Sequence, residues 1–400
     1  MKPYDAIIIG ARCAGSPTAM LLARKGYRVL LVDRATFPSD TISTHLIHPP
    51  GVAALARWGL LDRLRATGCP AIDTYAFDFG PFVISGSPGT PESKVAYGPR
   101  RTVLDKLLVD AAAEAGAEVR EGFVVEGLEI KDGRVTGIRG RSKSGPSVTE
   151  QGRVVIGADG LHSLVAKVVT PEQYHDRPPL EAGYYTYWGG LEMGGRFEAY
   201  DRVDRTWAAW PTNDDVTLVV VSWPAAEFEA NKRDVEGHYL RAFERAPAFA
   251  ERIRAAKRVE RLVGTAVPNF FRKPFGPGWA LVGDAGYHKD FITAQGISDA
   301  FRDAERCAAA LDEWLSGARG FDEALAAYQR DRDNHVLPMY EFTCQYARLA
   351  PPPPELQKIF AAVHGNQDAM NGFARVIAGV TSPAEFFSPE NVGRIFAAAH

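Results

Sequence analysis

The tightest constraint on this chain lies in its first thirty-three residues. Tyr4-Asp5-Ala6-Ile7-Ile8-Ile9 is an apolar run that ends in Gly10-Ala11-Arg12-Cys13-Ala14-Gly15. A helix-forming stretch follows from Pro17 to Lys25, and a second apolar run, Tyr27 to Val32, closes on Asp33. Strand, glycine turn, helix, strand and acid, in that order, open a dinucleotide-binding βαβ unit. Gly10 permits the sharp turn, and Gly15 lets the helix approach the sheet. The free N–H groups at the helix start, from Ala11 and Arg12 to Ala14, then face a pyrophosphate. Asp33 and Arg34 stand at the end of the second strand, where a carboxylate can accept from ribose hydroxyls. Arg12 occupies the middle glycine position and is the one departure. A generic βαβ crossover needs no acid at that strand end, so it explains the letters less completely.

Composition narrows the class further. A chain of 400 residues implies two joined domains, or one core with a large insertion. Its 46% hydrophobic and 24% charged content is ordinary for a globular protein. The net charge of −3 gives no reason to expect nucleic acid or an anionic membrane as partner. Cys13, Cys69, Cys307 and Cys344 are scattered without CxxC spacing, which reads as reduced thiols and no metal site. Asp5 interrupts any signal peptide, and no run approaches the roughly 18 apolar residues of a membrane span. The expectation is a soluble, cytoplasmic protein, and a homodimer is compatible with it.

Along the chain, a long turn-rich loop, Arg34 to Pro50, carries His45 and His48. Helices are expected over Val52 to Trp58 and Leu60 to Arg65, then short antiparallel strands from Asp73 to Ala96. Arg101 to Ala115 has helical apolar spacing, and Glu118 to Gly122 reads as a third parallel strand. Phe123 to Ile130 and Arg134 to Arg141 form a hairpin around Asp132-Gly133. From 181 to 223 aromatic and β-branched residues alternate, as in an antiparallel sheet. Helices are expected over Ala226 to Arg245, Ala248 to Lys257, Gly296 to Leu315 and Phe321 to Arg332, with a strand from Val259 to Ala266.

Two further glycine–acid turns follow buried strands, Val154-Val155-Ile156-Gly157-Ala158-Asp159-Gly160 and Ala280-Leu281-Val282-Gly283-Asp284-Ala285. One such aspartate could merely cap a helix. Together with the opening motif, the two fit a long cofactor that crosses several strand ends. The three segments resemble the fingerprints of FAD-dependent monooxygenases of the p-hydroxybenzoate hydroxylase fold. Arg101-Thr102-Val103-Leu104-Asp105 resembles that family's arginine at the start of a flavin-contacting helix.

The resemblance implies an α/β architecture: a Rossmann-like FAD-binding domain interleaved with an antiparallel β-sheet substrate domain, plus C-terminal helices. The expected segments are 1–72, 100–180 and 272–320 for FAD, 73–99 and 181–271 for substrate, and 321–400 for the helices. It implies that Asp33 binds the adenosine ribose, Val124 lies on the adenine, and Arg101 holds the pyrophosphate or ribityl region. Asp284 would bind ribityl hydroxyls, and Asp159 would support FAD. The helix from Gly296 and Ile297 would point its positive end at the flavin.

The segment after Asp284 departs from the resembled family. Tyr287 stands where a histidine is usual, with His288 beside it, and Asp290-Phe291 replace prolines. His45, His288 and Asp290 are the candidates for catalysis. Tyr185, Tyr187, Trp210, Asn213 and Phe291 are the candidates for contact with substrate. Plain packing and turn formation compete for each of them, and Lys289 reads as solvated surface. The implied activity is an NAD(P)H-dependent FAD monooxygenase that oxygenates a small aromatic or apolar molecule with molecular oxygen, through a flavin hydroperoxide. Reduction of carbon–carbon double bonds, as in geranylgeranyl reductases, is the alternative, and a flavin-binding protein without turnover is a third. A halogenase is disfavoured because the chain lacks a Trp-x-Trp-x-Ile-Pro segment.

Overall fold

Continuous apolar runs require cover on both faces, and the chain supplies it. The computed structural model describes residues 2–143 and 145–398. In it, Tyr4–Ile9 lies between Val29–Val32 on one side and Val148–Gly157 on the other, all parallel. Glu118–Arg120 extends the sheet beyond Val29–Val32, and Trp279–Leu281 extends it beyond Val148–Gly157. Ile7, Ile8, Leu30, Leu31 and Val154 to Ile156 are fully buried. The helices Gly15–Ala23, Arg101–Glu114 and Gly296–Leu315 pack together over one face.

The opening turn is tightened by contact. A Cβ on Gly15 would lie 1.8 Å from the Gly10 carbonyl oxygen, so only glycine lets the helix this close to the strand. The strands on either side of Tyr4–Ile9 connect in different directions, and the sheet order reverses there. That is where an open α/β sheet leaves a crevice for ligands. The long strand Val148–Gly157 joins two systems. Its first half pairs antiparallel with Arg134–Ser142, and its second half pairs parallel with the opening strand. The Phe123–Lys131 and Arg134–Ser142 hairpin turns at Asp132 and Gly133, both at positive φ, as the Asp-Gly pair requires.

A second sheet runs in the order Lys257–Arg258, Glu181–Gly189, Val216–Pro224, Arg205–Pro211, Arg196–Arg202, Thr74–Asp78 and Val83–Gly86. Its pairings are antiparallel except that Arg196–Arg202 runs parallel to Thr74–Asp78. Those two strands come from separate excursions of the chain, so no hairpin dictates their direction. One face buries Trp207 and Trp223 under Val235–Phe243 and Pro247–Ala255. The opposite face carries Tyr75, Tyr187, Phe197, Trp210 and Leu218, and the C-terminal helices Pro354–Val363 and Gln367–Ile377 cover part of it.

Three expectations are corrected. The helix foreseen over Ala226 to Arg245 is broken into Phe228–Asn231 and Val235–Phe243. Asp234 starts the second piece by accepting from the Gly237 N–H, so the chain re-nucleates there. The helix foreseen over Phe321 to Arg332 continues to Tyr346 despite Pro338. A buried stripe of Tyr328, Val336, Tyr340 and Cys344 outweighs the lost backbone bond. The strand foreseen from Val259 begins only at Val263. A three-stranded sheet of Gln173–Arg177, Asn269–Arg272 and Tyr287–His288 was not foreseen, because each strand is too short to show a period.

Candidate functional site

A single cavity of about 1110 Å³ follows the C-terminal edge of the parallel sheet and ends beneath the second sheet. Asp33, Arg34 and Val124 line its outer end, with Val124 and Arg34 exposed there. Gly10, Arg12, Ala14 and Arg101 line the middle, and Asp284, Gly296 and Ile297 the inner stretch. Ala11 and Gly15 lie behind this wall. The Ala11 N–H donates to Asp33 Oδ2 at 2.7 Å, and Asp33 Oδ1 accepts from the Ala35 N–H at 2.7 Å. Asp33 therefore braces the turn at the end of the second strand while bordering the cavity.

The middle of the cavity is charged. Asp105, fully buried, accepts from Arg12 at 2.5 Å and from Arg101 Nε at 3.0 Å. Two guanidinium groups on one carboxylate leave a net positive charge, which suits a diphosphate. Arg12 also donates to the carbonyls of Ser39 and Asp40 and sits 5.3 Å over the Phe37 ring. The residue in the glycine position thus fastens the loop that borders the cavity. The N–H groups of Arg12, Cys13 and Ala14 find no acceptor among the described residues, as expected of amides reserved for an anion. Sequence reasoning missed Asp105 as a charge hub, although its i+4 spacing from Arg101 on the helix was visible.

The two later aspartates differ. Asp159 Oδ2 accepts from the N–H of Leu164 at 2.7 Å and of Val165 at 3.4 Å, which satisfies two first-turn amides of the helix Leu164–Val169 beside the Ser163 cap on Ala166. Its Oδ1 is buried without a partner at the cavity wall, and burial raises its carboxyl above the usual range. Asp284 lies open to the cavity with no hydrogen-bond donor among the described residues, and His288 Nε2 stands 4.0 Å away. A Cβ added to Gly296 would meet nothing, and no side chain caps the helix that begins there. An elongated cavity, an orphaned carboxyl oxygen, an open carboxylate and two uncapped helix starts fit a dinucleotide with a planar ring at its inner end.

The histidines sort by commitment. His45, foreseen as catalytic, does not line the cavity. It is buried at φ 64°, its Nδ1–H donates to the Ser43 carbonyl at 2.7 Å, and its Nε2 accepts from the Tyr187 hydroxyl at 2.6 Å. Burial pushes its pKa down to about 3, so it is a neutral tether for the loop. His48 likewise joins Tyr75 to the Thr293 carbonyl, with its pKa lowered to about 4 by burial. His288 does reach the cavity. Its Nδ1–H donates to the Pro268 carbonyl at 2.8 Å, which leaves Nε2 as an acceptor.

Asp290 is buried at the cavity wall, and its Oδ1 accepts from the Ile292 N–H at 3.1 Å. Lys289, expected on the surface, is buried instead and ion-paired with Asp299. Burial alone would raise Asp299, but Lys289 and Arg302 outweigh it and hold the carboxyl at about 2.

At the inner end the lining turns apolar, with Gly183, Tyr185, Leu218, Val220, Phe291 and Ala294. A Cβ on Gly183 would fall 2.5 Å from the Phe291 ring, so this strand needs glycine to seat the phenylalanine. Burial pushes the Tyr185 phenol up to about 12, which keeps it neutral. Leu218 and Val220 were missed because core and pocket leucines or valines carry the same letters.

Three residues foreseen at the substrate are elsewhere. Tyr187 lies behind Tyr185, with the Arg100 guanidinium 4.3 Å over its ring. Trp210 is 1% exposed and stacked on Phe197 in the core. Asn213 clamps two loops, accepting from the Arg100 N–H at 3.0 Å and donating to the Thr67 carbonyl at 3.1 Å.

A family profile described as "FAD binding domain" matches residues 3–343. The chain is 25% identical over 350 residues to a tryptophan 2-halogenase of Chondromyces crocatus, covering 83% of this chain and 65% of that protein. The chain thus spans just under two thirds of that relative's length. It is 27% identical over 317 residues to a digeranylgeranylglycerophospholipid reductase of Methanocella arvoryzae, covering 74% of each. Among solved structures it superposes on the myxobacterial chondrochloren halogenase CndH with a TM-score of 0.80, at 23% identity over 100% of this chain and 97% of the other. PqsL from Pseudomonas aeruginosa, described as "a probable FAD-dependent monooxygenase", gives 0.73 at 22% identity over 93% and 99%. At such identities the superpositions establish the fold. Among the described residues no helix is long and apolar enough to cross a membrane.

Proposed function

The chain belongs to the FAD-binding-domain family, and on that premise we propose that it is an NAD(P)H-dependent FAD monooxygenase acting on a small, neutral, apolar molecule. The observation that carries the reading is the continuity of the cavity, from the charged dinucleotide cradle to an apolar end walled by Tyr185, Leu218, Val220 and Phe291. A hydrophobic compartment directly adjoining the ring end of the cofactor is what positioning an apolar substrate requires.

FAD, when bound, supplies the redox chemistry, taking up hydride equivalents and reacting with oxygen. The protein's part is to bind, orient and screen. The amides of Arg12 to Ala14, with the net positive charge of Arg12, Asp105 and Arg101, hold the diphosphate. Asp33 serves the adenosine ribose and Asp284 the ribityl hydroxyls. The uncapped start of Gly296–Leu315 directs its positive end at the ring and stabilises negative charge there. Phe291, Tyr185 and Leu218 exclude water from the inner end. His288 Nε2 and Asp290 are the groups able to hold or move a proton beside it.

Product analysis tests the reading. Purified protein loaded with FAD and NAD(P)H is challenged with a panel of neutral aromatic compounds, in oxygen and without it, with and without halide. A product one oxygen atom heavier, formed only in oxygen, supports monooxygenation. A product that gains two hydrogens anaerobically replaces it with the reductase reading, and a halogenated product with the halogenase reading. Protein that takes up no FAD overturns all three.

A further inference from the structure

Two buried carboxyl groups meet at the inner end of the cavity, and one has no assigned role. Glu181 begins the strand Glu181–Gly189, is fully buried, and among the described residues finds no well-aligned hydrogen-bond donor for either carboxyl oxygen. Asp290 is 1% exposed, lies at the cavity wall, and leaves Oδ2 without a donor. The side chains of Glu181 and Asp290 lie within hydrogen-bonding reach of each other. Two ionised carboxylates are acceptors only and repel. Unpartnered and buried, neither can stay charged beside the other at reasonable cost.

The surroundings relieve this only in part. The Ser222 hydroxyl on the neighbouring strand favours the Glu181 carboxylate and the Glu181 N–H favours that of Asp290, both less than burial opposes them, and Tyr346 faces Glu181 from the long C-terminal helix. His288 and Cys344 face Asp290, while Lys289 is engaged with Asp299. Asn269 Oδ1 accepts from the Asp290 N–H at 2.6 Å and fixes the backbone, so Asp290 cannot swing away. Burial, with the second carboxyl next in weight, raises Glu181 well above the ordinary range, and burial raises Asp290.

We infer that Glu181 and Asp290 hold one proton between them at neutral pH, with the Glu181 carboxyl donating to Asp290, and that Asp290 meets the occupant of the cavity beside His288 and Phe291 as an acceptor carrying the pair's single charge. Glu181 is then a positioning residue: its proton partners the buried Asp290 carboxylate and limits the pair to one negative charge. The second half of this inference rests on the proposal that FAD occupies the cavity, and the first half does not.

The experiment therefore has two readouts, each on wild type, Glu181→Gln and Asp290→Asn. Thermal unfolding of FAD-free protein is followed from about pH 5 to about pH 9. A folded state that retains an extra proton loses stability as pH rises through that window. The wild-type Tm should fall relative to Glu181→Gln, whereas Asp290→Asn keeps the buried Glu181 and should retain the fall with its midpoint moved to lower pH, because the Asp290 charge no longer favours the Glu181 proton. A wild-type curve parallel to that of Glu181→Gln, or an Asp290→Asn midpoint that does not move, overturns proton sharing.

FAD affinity is then titrated over the same range. Wild type should weaken by up to about tenfold per pH unit once the pair ionises fully, and Glu181→Gln should be flat. Identical pH profiles overturn the contact of the pair's charge with the cavity's occupant. Wild type that binds no FAD at any pH refutes the proposed function instead and leaves the unfolding result standing.

Discussion

Asp159 and Asp284 stand at the ends of neighbouring parallel strands, each within two residues of the glycine that closes the strand, and their letters differ little. One carboxylate is committed to its own chain, with Oδ2 holding the first amides of the helix Leu164–Val169. The other is open to the cavity and accepts no hydrogen bond from the described residues. The difference lies in the path of the chain beyond each turn. After Asp159 it winds directly into a helix whose free amides need an acceptor. After Asp284 it makes one tight 3-10 turn and runs into the short strand Tyr287–His288. The histidines repeat the contrast: His45 and His48 are consumed by structure, and His288 keeps one nitrogen free.

The largest effect expected of this contrast is on acid stability. His45 and His48 are held neutral with pKa values of about 3 and about 4. The unfolded chain takes up their protons near pH 6.5 and the folded one does not. Stability is therefore full above about pH 6.5 and falls by roughly 1.4 kcal/mol per histidine per pH unit below it. His45→Asn, which tolerates the positive φ, should remove about half of that slope in pH-dependent unfolding. An unchanged slope in His45→Asn would show that the fold does not hold this histidine neutral.

Next comes Asp284→Ala. Loss of a charge-assisted bond to the ribityl chain should weaken FAD binding roughly 10- to 100-fold. The FAD-free Tm should hold within about 1 °C, since no donor among the described residues bonds this side chain. Wild-type FAD retention in that variant would show the carboxylate to be idle.

Asp159→Ala should behave the opposite way. Losing its bonds to two first-turn amides, with the Ser163 cap kept, should cost about 1 kcal/mol of FAD-free stability, with FAD affinity down less than about tenfold. Asp159→Asn keeps the capping oxygen and should restore most of that stability. Calorimetry and flavin-fluorescence titration on the same samples separate the structural carboxylate from the binding one.

Much of the framework was legible in the sequence. The central strands are continuous apolar runs closed by glycine, and the Gly296–Leu315 helix has the bounds its spacing implies. The Asp132-Gly133 hairpin follows from two left-handed positions that few other pairs accept. The candidate site was less legible. Tyr187 and Trp210 alternate with their neighbours as pocket residues would, but the face they share is partly filled by C-terminal helices more than a hundred residues away. Lys289 carries the letter of a surface residue, and its partner Asp299 is ten residues on, across a turn and a helix start. Glu181 has the look of a strand's polar edge, and only the fold sets Asp290 opposite it.

By itself the sequence determined where the chain turns, which runs must be buried on both faces, and that the two later strand ends each carry a glycine beside an acid. Those are local consequences of φ, periodicity and the need to satisfy backbone amides. Only the tertiary structure decided which acids are spent on the fold and which remain for chemistry. A carboxylate's role depends on the donors that reach it, and those donors come from elsewhere in the chain. Arg12 shows both halves: its departure from glycine was plain in the letters, but its work on Asp105 and on the Ser39–Asp40 loop was not.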